Sequence, residues 1–186
     1  MKQTALDVFV DRFSSKYGHH FKWPARPRKK QNVEVGTRNL VDINHAFARH
    51  GLKFWLAFGT ALQVYRDGKI AEYDWDTDIA VFLKDCDKLF PVTDLLSKCD
   101  FQPVRCNNTC VSYARGNEYT DVYYFEPDEK GDMYVCTGYQ SERRFFDNLK
   151  GIEFAGETFL IPENIEAYLR NLYGDDWRTP IWGKHA

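Results

Sequence analysis

The chain has 186 residues, 44% of them hydrophobic and 16% aromatic, with a formal net charge of −2. That length supports one sizeable core, and the charge excludes a protein that coats nucleic acid through a bulk excess of Lys and Arg, so any nucleotide must be held by a local site. Five cysteines (an odd number), no leader-like apolar run at the start and no apolar stretch near the roughly 20 residues of a membrane span describe a reduced, cytoplasmic protein with free thiols.

In chain order, Leu6, Phe9, Val10 and Phe13 recur at helical spacing, which predicts an amphipathic helix over the first 17 or so residues, ended by Gly18. Residues 19–32 hold Pro24, Pro27 and the cluster Arg26, Arg28, Lys29 and Lys30. They read as an irregular basic segment, either a solvated charge run or an arm that helps hold an anionic substrate. Residues 1–35 are therefore set apart from the main domain, 36–186. A second helix is expected over 36–50, with Leu40, Ile43 and Phe47 on one face and Gly51 as its stop.

Lys53 to Ala57 predicts a short buried strand, followed by Gly59-Thr60 and a short helix from Ala61 to Arg66 closed by Asp67-Gly68. Thr77 to Leu83 is a strand-like apolar run, and 86–98 a helix carrying Leu89, Val92, Leu95 and Leu96. Strands follow near 101–106, 109–115, 118–126 and 132–137, with Asn107-Asn108 and Gly116-Asn117 as turns. Cys106-x3-Cys110 falls here, but lacks a second Cys or His pair at finger spacing, which argues against structural zinc. A last strand pair is expected near 150–161, and Pro162 is read as opening a final helix that ends at Gly174. The sum is an α+β domain with a mixed or antiparallel sheet and flanking helices.

The densest chemical feature is Asp74-Trp75-Asp76-Thr77-Asp78. Side chains two apart on an extended chain share a face, so Asp76 and Asp78 project together at a strand entrance. Two carboxylates that close repel each other unless a cation compensates them, and Mg²⁺ or Mn²⁺ suits such hard oxygen ligands. An EF-hand loop fails, because Ile79 and Asp85 stand where its Gly and Glu are required. The bland alternative is a solvated acidic turn.

Upstream, Gly59-Thr60 before a short helix offers backbone amides and a hydroxyl to an anion, and Arg66 offers a cation, although it reads equally well as a surface residue. Asp121, inside the otherwise apolar strand from Tyr119 to Phe125, is the best candidate for a third ligand, since a lone carboxylate there is costly to bury. Glu118 and Glu126 lie nearer the strand ends. Trp75 reads as a rim aromatic or a base-stacking one. Trp177 and Trp182 are expected to pin the C-terminal tail, and His19, His20, His45 and His185 to be surface or helix-face residues.

Phe54-Trp55-Leu56-Ala57-Phe58-Gly59-Thr60-Ala61-Leu62, then Arg66, Gly68, Ile70 and Asp74-Trp75-Asp76-Thr77-Asp78-Ile79, closely resemble the LicD/fukutin family. The segment from Ile161-Pro162-Glu163-Asn164 through Tyr168-Leu169 to Trp177 and Pro180 resembles the family's closing region, so the likeness runs over roughly residues 50–182. It implies a polymerase-beta-like nucleotidyltransferase fold and two Mg²⁺ or Mn²⁺ ions. The implied activity is transfer of phosphocholine or a polyol phosphate from a CDP-activated donor to a hydroxyl acceptor, on a glycan in that family. It also implies Asp76 and Asp78 as paired metal ligands and catalytic residues, Asp121 as the third, Asp74 as an accessory acid, and Gly59, Thr60 and Arg66 as holders of the donor phosphates. The sequence departs from the family pattern at Gln63, where a small residue is usual, and at Glu72-Tyr73, in place of Pro-Trp. Two alternatives stand beside this reading: transfer of NMP from an NTP to a small molecule, protein or RNA, and a non-catalytic nucleotide-binding module.

Overall fold

The computed structural model describes residues 3–21, 30–136 and 138–180. The basic segment's Arg26, Arg28 and Lys29, with Pro24, Pro27, Trp182 and His185, lie outside the described residues.

Helix α1 (Ala5–Tyr17) starts at a capping box in which Thr4 Oγ1 accepts from the Asp7 amide at 3.1 Å and the Asp7 carboxylate accepts from the Thr4 amide at 2.9 Å. Its Phe9, Phe13 and Tyr17 turn into the core, where Phe9 meets Tyr124 edge-on. Helix α2 (Val33–Arg49) begins three residues before the expected position because Asn32 caps it, its Oδ1 accepting from the Val35 amide at 3.2 Å. Gly36 then falls inside the helix. A Cβ there would meet Ile70 Cδ1 at 2.9 Å, so glycine lets the helix press close to the segment that leads to the acidic cluster without displacing the Ile70 side chain.

The sheet is built from β1 (Phe54–Leu56), β2 (Thr77–Phe82), β3 (Gln102–Cys106), β4 (Cys110–Arg115), β5 (Glu118–Pro127), β6 (Met133–Cys136) and β7 (Tyr139–Glu142). The order β1-β2-β5-β4-β3 leaves β6 paired to the end of β5, with β7 beyond it. Among the described residues, only β2 and β5 run parallel. The turn between β4 and β5 places Gly116 and Asn117 at φ 61° and 67°, the left-handed pair a tight hairpin favours. The edge strand β7 was not expected, since Tyr139-Gln140-Ser141-Glu142 carries no apolar alternation.

Helix α3 (Phe58–Asp67) starts directly after β1, so Gly59-Thr60 forms its first turn and does not precede it; Gly68 closes it in the left-handed region. A short 3₁₀ turn over Leu83–Lys88 precedes α4 (Leu89–Ser97), dividing the single helix expected at 86–98. Strands β8 (Leu149–Phe154) and β9 (Glu157–Pro162) form a separate hairpin, and α5 (Ile165–Tyr173) follows. Pro162 ends β9, paired with Leu149; α5 opens at Asn164, whose Oδ1 accepts from the Ala167 amide at 3.4 Å. Trp177, buried as expected, pins the segment after α5.

Alternation divides the sheet into two unlike faces. On one, Val111, Tyr113, Val122 and Tyr124 are buried with α1, α2 and α4 in the main core. Its polar groups satisfy one another: Tyr113 Oη and Thr93 Oγ1 lie 2.6 Å apart, and the paired Thr77 and Thr120 hydroxyls 2.9 Å. The other face carries Asp78 and Asp121. Beyond them it passes into an aromatic cluster of Trp55, Phe82, Phe125 and Phe146.

Candidate functional site

The parallel pairing of β2 with β5 sets Asp78 directly beside Asp121, and the antiparallel ladders extend the row through Ser112 on β4 to Arg105 on β3. Four strands thus place Asp78, Asp121, Ser112 and Arg105 side by side on one face. One carboxylate oxygen from each of Asp76, Asp78 and Asp121 lies within 4.8 Å of the others. This is the one such group of potential metal ligands among the described residues.

Asp78 is fixed by its backbone. Its amide donates to Thr60 Oγ1 at 2.7 Å and its carbonyl accepts from the Ala57 amide at 3.0 Å. The start of α3 therefore clamps the strand at the acidic position, and Thr60, itself buried, spends its hydroxyl oxygen there. Phe58, between Ala57 and Gly59, takes a φ of 43°, a strained value for a residue with a side chain, and packs on Tyr123. A Cβ on Gly59 would meet Asp74 Oδ2 at 3.0 Å, so glycine is what lets that carboxylate lie close against the first turn of α3, with Asp78 Oδ2 at ordinary contact distance, 3.8 Å.

Asp74 is held by Gln63, the residue that departs from the family pattern. The buried Gln63 amide donates to Asp74 Oδ2 at 2.5 Å, and its oxygen accepts from the Ala71 amide at 2.7 Å. The signal for this role was a polar side chain on the inward face of a helix. Its partner is eleven residues away and invisible to periodicity.

Arg105 was not singled out from the sequence. Its Nη2 donates to Asp121 Oδ2 at 2.5 Å and to Cys110 Sγ at 3.0 Å, and its Nε donates to Ser112 Oγ at 2.9 Å. A register shift between Pro103 and Arg105 accompanies this side chain's turn onto the acidic face. An arginine in a short strand was visible, but the bulge that aims it was not.

The charge balance is uneven. Burial, then Asp76, Asp121 and Asp74, push the Asp78 carboxyl well above the usual carboxylate range, opposed by a hydrogen bond from the Tyr123 phenol. Burial and then Asp78 and Asp121 push that phenol upward in turn, keeping it a proton donor. Burial works against the charge on Arg105, but Asp121 beside it prevails and raises its pKa. The Asp121 side chain is only 2% exposed, and its Oδ1 has no hydrogen-bond partner.

Arg105, Asp121 and Tyr123, with Asp74 and Asp76, line a cavity of about 480 Å³, whose wall also includes Trp75, Asn107 and Thr109. Arg105 is its sole cation among the described residues. Trp75 stands 42% exposed at the rim. Arg66 points elsewhere, pairing with Asp67 at 2.8 Å and donating to the Trp177 carbonyl at 3.1 Å. Glu118 accepts from the Asn32 amide at 2.9 Å, away from the trio. His45 pairs with Glu157 on the surface, and His19 and His20 are exposed. Among the described residues, no helix is long and apolar enough to cross a membrane.

Residues 51–164, more than half of the chain, match the family described as LicD/FKTN/FKRP, nucleotidyltransferase domain. Ribitol-5-phosphate transferase FKTN of Mus musculus is 26% identical over 165 residues, which cover 84% of this chain and 34% of the relative. The Homo sapiens protein of that name is 27% identical over 140 residues, covering 70% and 30%. The chain thus spans about a third of the length of these relatives. The solution structure of the antibiotic-resistance factor ANT(2'')-Ia is similar in fold, with a TM-score of 0.57 at 14% identity over 82% of this chain and 80% of that one. A crystal structure of ANT(2'')-Ia in complex with adenylyl-2''-tobramycin gives 0.52 at 16% identity, over 78% and 79%. The α+β architecture is a nucleotidyltransferase fold.

Proposed function

We propose, for a chain that belongs to the LicD/FKTN/FKRP nucleotidyltransferase-domain family, the metal-dependent transfer of a phospho-alcohol group from a CDP-activated donor to an acceptor hydroxyl on a glycan. The observation that carries this reading is the convergence of Asp76, Asp78 and Asp121 at one end of the parallel β2–β5 pair, with a buried Asp121 oxygen left without a partner. Hard carboxylate oxygens that repel one another fit Mg²⁺ or Mn²⁺, and Asp76, Asp78 and Asp121 would hold one or two such ions, with Asp74 as an accessory acid. A bound divalent ion supplies charge stabilisation to the oxygens around the reacting phosphorus.

The protein's own part is positioning. The clamp from Ala57 and Thr60 holds Asp78 in place, and Gln63 orients Asp74. Gly59 leaves room for Asp74 against the first turn of α3, whose N-terminal amides would favour a donor phosphate. Arg66 would reach that phosphate only by leaving Asp67 and the Trp177 carbonyl. In the reaction, a bond forms between the acceptor oxygen and the phospho-alcohol phosphorus as the bond from that phosphorus to CMP breaks. CMP leaves with the electron pair, and the acceptor's proton passes to the carboxylate of Asp121.

The same trio serves the second reading, NMP transfer from an NTP, which differs in the phosphorus attacked. The shared fold of a protein solved with adenylyl-2''-tobramycin supports keeping it in the test. Purified protein with Mn²⁺ is incubated separately with CDP-ribitol, CDP-choline, CTP and ATP, and products are resolved by chromatography. CMP from a CDP-alcohol is the expected product; pyrophosphate from CTP or ATP replaces the first reading with the second. If Mn²⁺ does not bind and Asp76→Asn changes neither metal nor nucleotide affinity, the chain is a non-catalytic binding module.

A further inference from the structure

The row Asp78–Asp121–Ser112–Arg105 joins the acidic centre to a single cation by backbone register. Arg105 makes contacts of unlike kinds, to Ser112, Cys110 and Asp121 among others. Its Nε is anchored on Ser112, which is fully buried, while its Nη2 neutralises Asp121 at the very carboxylate assigned to the metal. The side chain is 31% exposed and lines the open cavity together with Asn107, Thr109 and Trp75. A guanidinium and a divalent ion compete for the charge of the same buried carboxylate. When the ion enters, Arg105 loses its reason to stay on Asp121, and a planar fork anchored at one nitrogen is suited to a phosphate in the cavity.

We propose that Arg105 is an exchangeable counter-charge: it neutralises Asp121 while the site holds no divalent ion, and on metal loading its terminal nitrogens pass to a phosphate of the nucleotide donor. This rests on the metal-dependent reading above. Arg105 is a specificity residue for a negatively charged donor, and metal and donor binding are positively coupled through it. Ser112 is the pivot. The bulge in β3 is the device that aims the side chain.

The test is calorimetric titration of wild-type, Arg105→Gln and Arg105→Lys proteins with Mn²⁺, then with CDP at saturating Mn²⁺ and with CDP in EDTA. Removing the competing cation is expected to tighten Mn²⁺ binding severalfold in Arg105→Gln. CDP binding at saturating Mn²⁺ should weaken about tenfold or more, the worth of a charged hydrogen bond. In EDTA the wild type and Arg105→Gln should bind CDP equally weakly, because the arginine is then occupied by Asp121. Arg105→Lys, which keeps the charge but not the fork, should fall between them with Mn²⁺ present; it also carries the test if Arg105→Gln does not fold. Opposite signs for metal and nucleotide are the signature, since a merely structural role would weaken both. Unchanged CDP affinity at saturating Mn²⁺ in the variants, or weaker Mn²⁺ binding in a folded Arg105→Gln, overturns the exchange while leaving the metal-dependent reading intact. A wild-type protein that binds no Mn²⁺ overturns both.

Discussion

The two faces of the sheet are made by the same strands and behave in opposite ways. On the helix-covered face, Val111, Tyr113, Thr120, Val122 and Tyr124 of β4 and β5 alternate into the core, and hydroxyls close on one another: Tyr113 on Thr93, Thr77 on Thr120. On the other face, the residues in between bring Asp78 and Asp121 together, with Asp76 and Asp74 nearby and Arg105 the cation lining their cavity among the described residues. One face is complete without a ligand. The other is in electrostatic deficit, and that deficit is what a metal and a phosphorylated donor would relieve. On the proposed reading, stability and function reside on alternate residues of the same strands.

The largest expected effect breaks the acidic face. Asp78→Asn should lower CMP release from a CDP-alcohol donor on the order of a thousandfold, as loss of a metal ligand at a phosphoryl site implies. The same change removes repulsion from Asp76, Asp121 and Asp74, so the metal-free protein should melt about 2–4 °C higher. Activity assays and melting curves on one preparation check both signs; a lower melting temperature would show that the cluster is not strained by charge.

Next comes the support around it. Gln63→Ala removes the amide that fixes Asp74, and should weaken Mn²⁺ binding about tenfold, as for outer partners of metal ligands. An unchanged titration would remove Asp74 from the site.

A smaller effect sharpens the contrast through pH. Asp78 has a raised pKa in the folded chain, so between the ordinary carboxylate range and that raised value the folded state binds more protons than the unfolded one. Stability of the metal-free protein from this group is then present at low pH and lost as pH rises through the folded pKa. A divalent ion takes the proton's place. The rise in melting temperature on adding Mn²⁺ should therefore be greater at about pH 8 than at about pH 5.5, and Asp78→Asn should flatten the difference.

The smallest effect belongs to the helix-covered face. Tyr113→Phe removes one buried hydroxyl facing Thr93, which keeps its bond to the Leu89 carbonyl at 2.6 Å. A loss of about 1 kcal/mol in denaturant unfolding, with Mn²⁺ affinity unchanged, is expected. A change in Mn²⁺ affinity would mean that the two faces are coupled.

Much of this was legible in the sequence, because it depends on neighbours along the chain. The Asp-x-Asp spacing put Asp76 and Asp78 together, the helical period gave the inward faces of α1, α2 and α5, and the Gly116-Asn117 turn marked the β4–β5 hairpin. Asp121 was suspected because a carboxylate in an apolar strand is costly. The misplaced start of α5 has a local cause too: Asn164 is the stronger helix signal, and Pro162 also suits an edge strand.

What only the tertiary structure decided is everything set by strand register and burial. The sequence does not state that β2 and β5 run parallel with Asp78 opposite Asp121, yet that pairing assembles the trio. Nor does it state that a bulge turns Arg105 onto the same face, that Gln63 reaches Asp74, or that Thr60 serves the Asp78 backbone. The physical reason is that hydrogen-bonded register couples residues dozens of positions apart, and a periodic pattern along one segment records which face a side chain takes, never which strand lies beside it. By itself the sequence determined a pair of close carboxylates, Asp76 and Asp78, at a strand entrance. The fold set the suspected third carboxylate beside them and supplied its buried unpartnered oxygen and the arginine bonded to it.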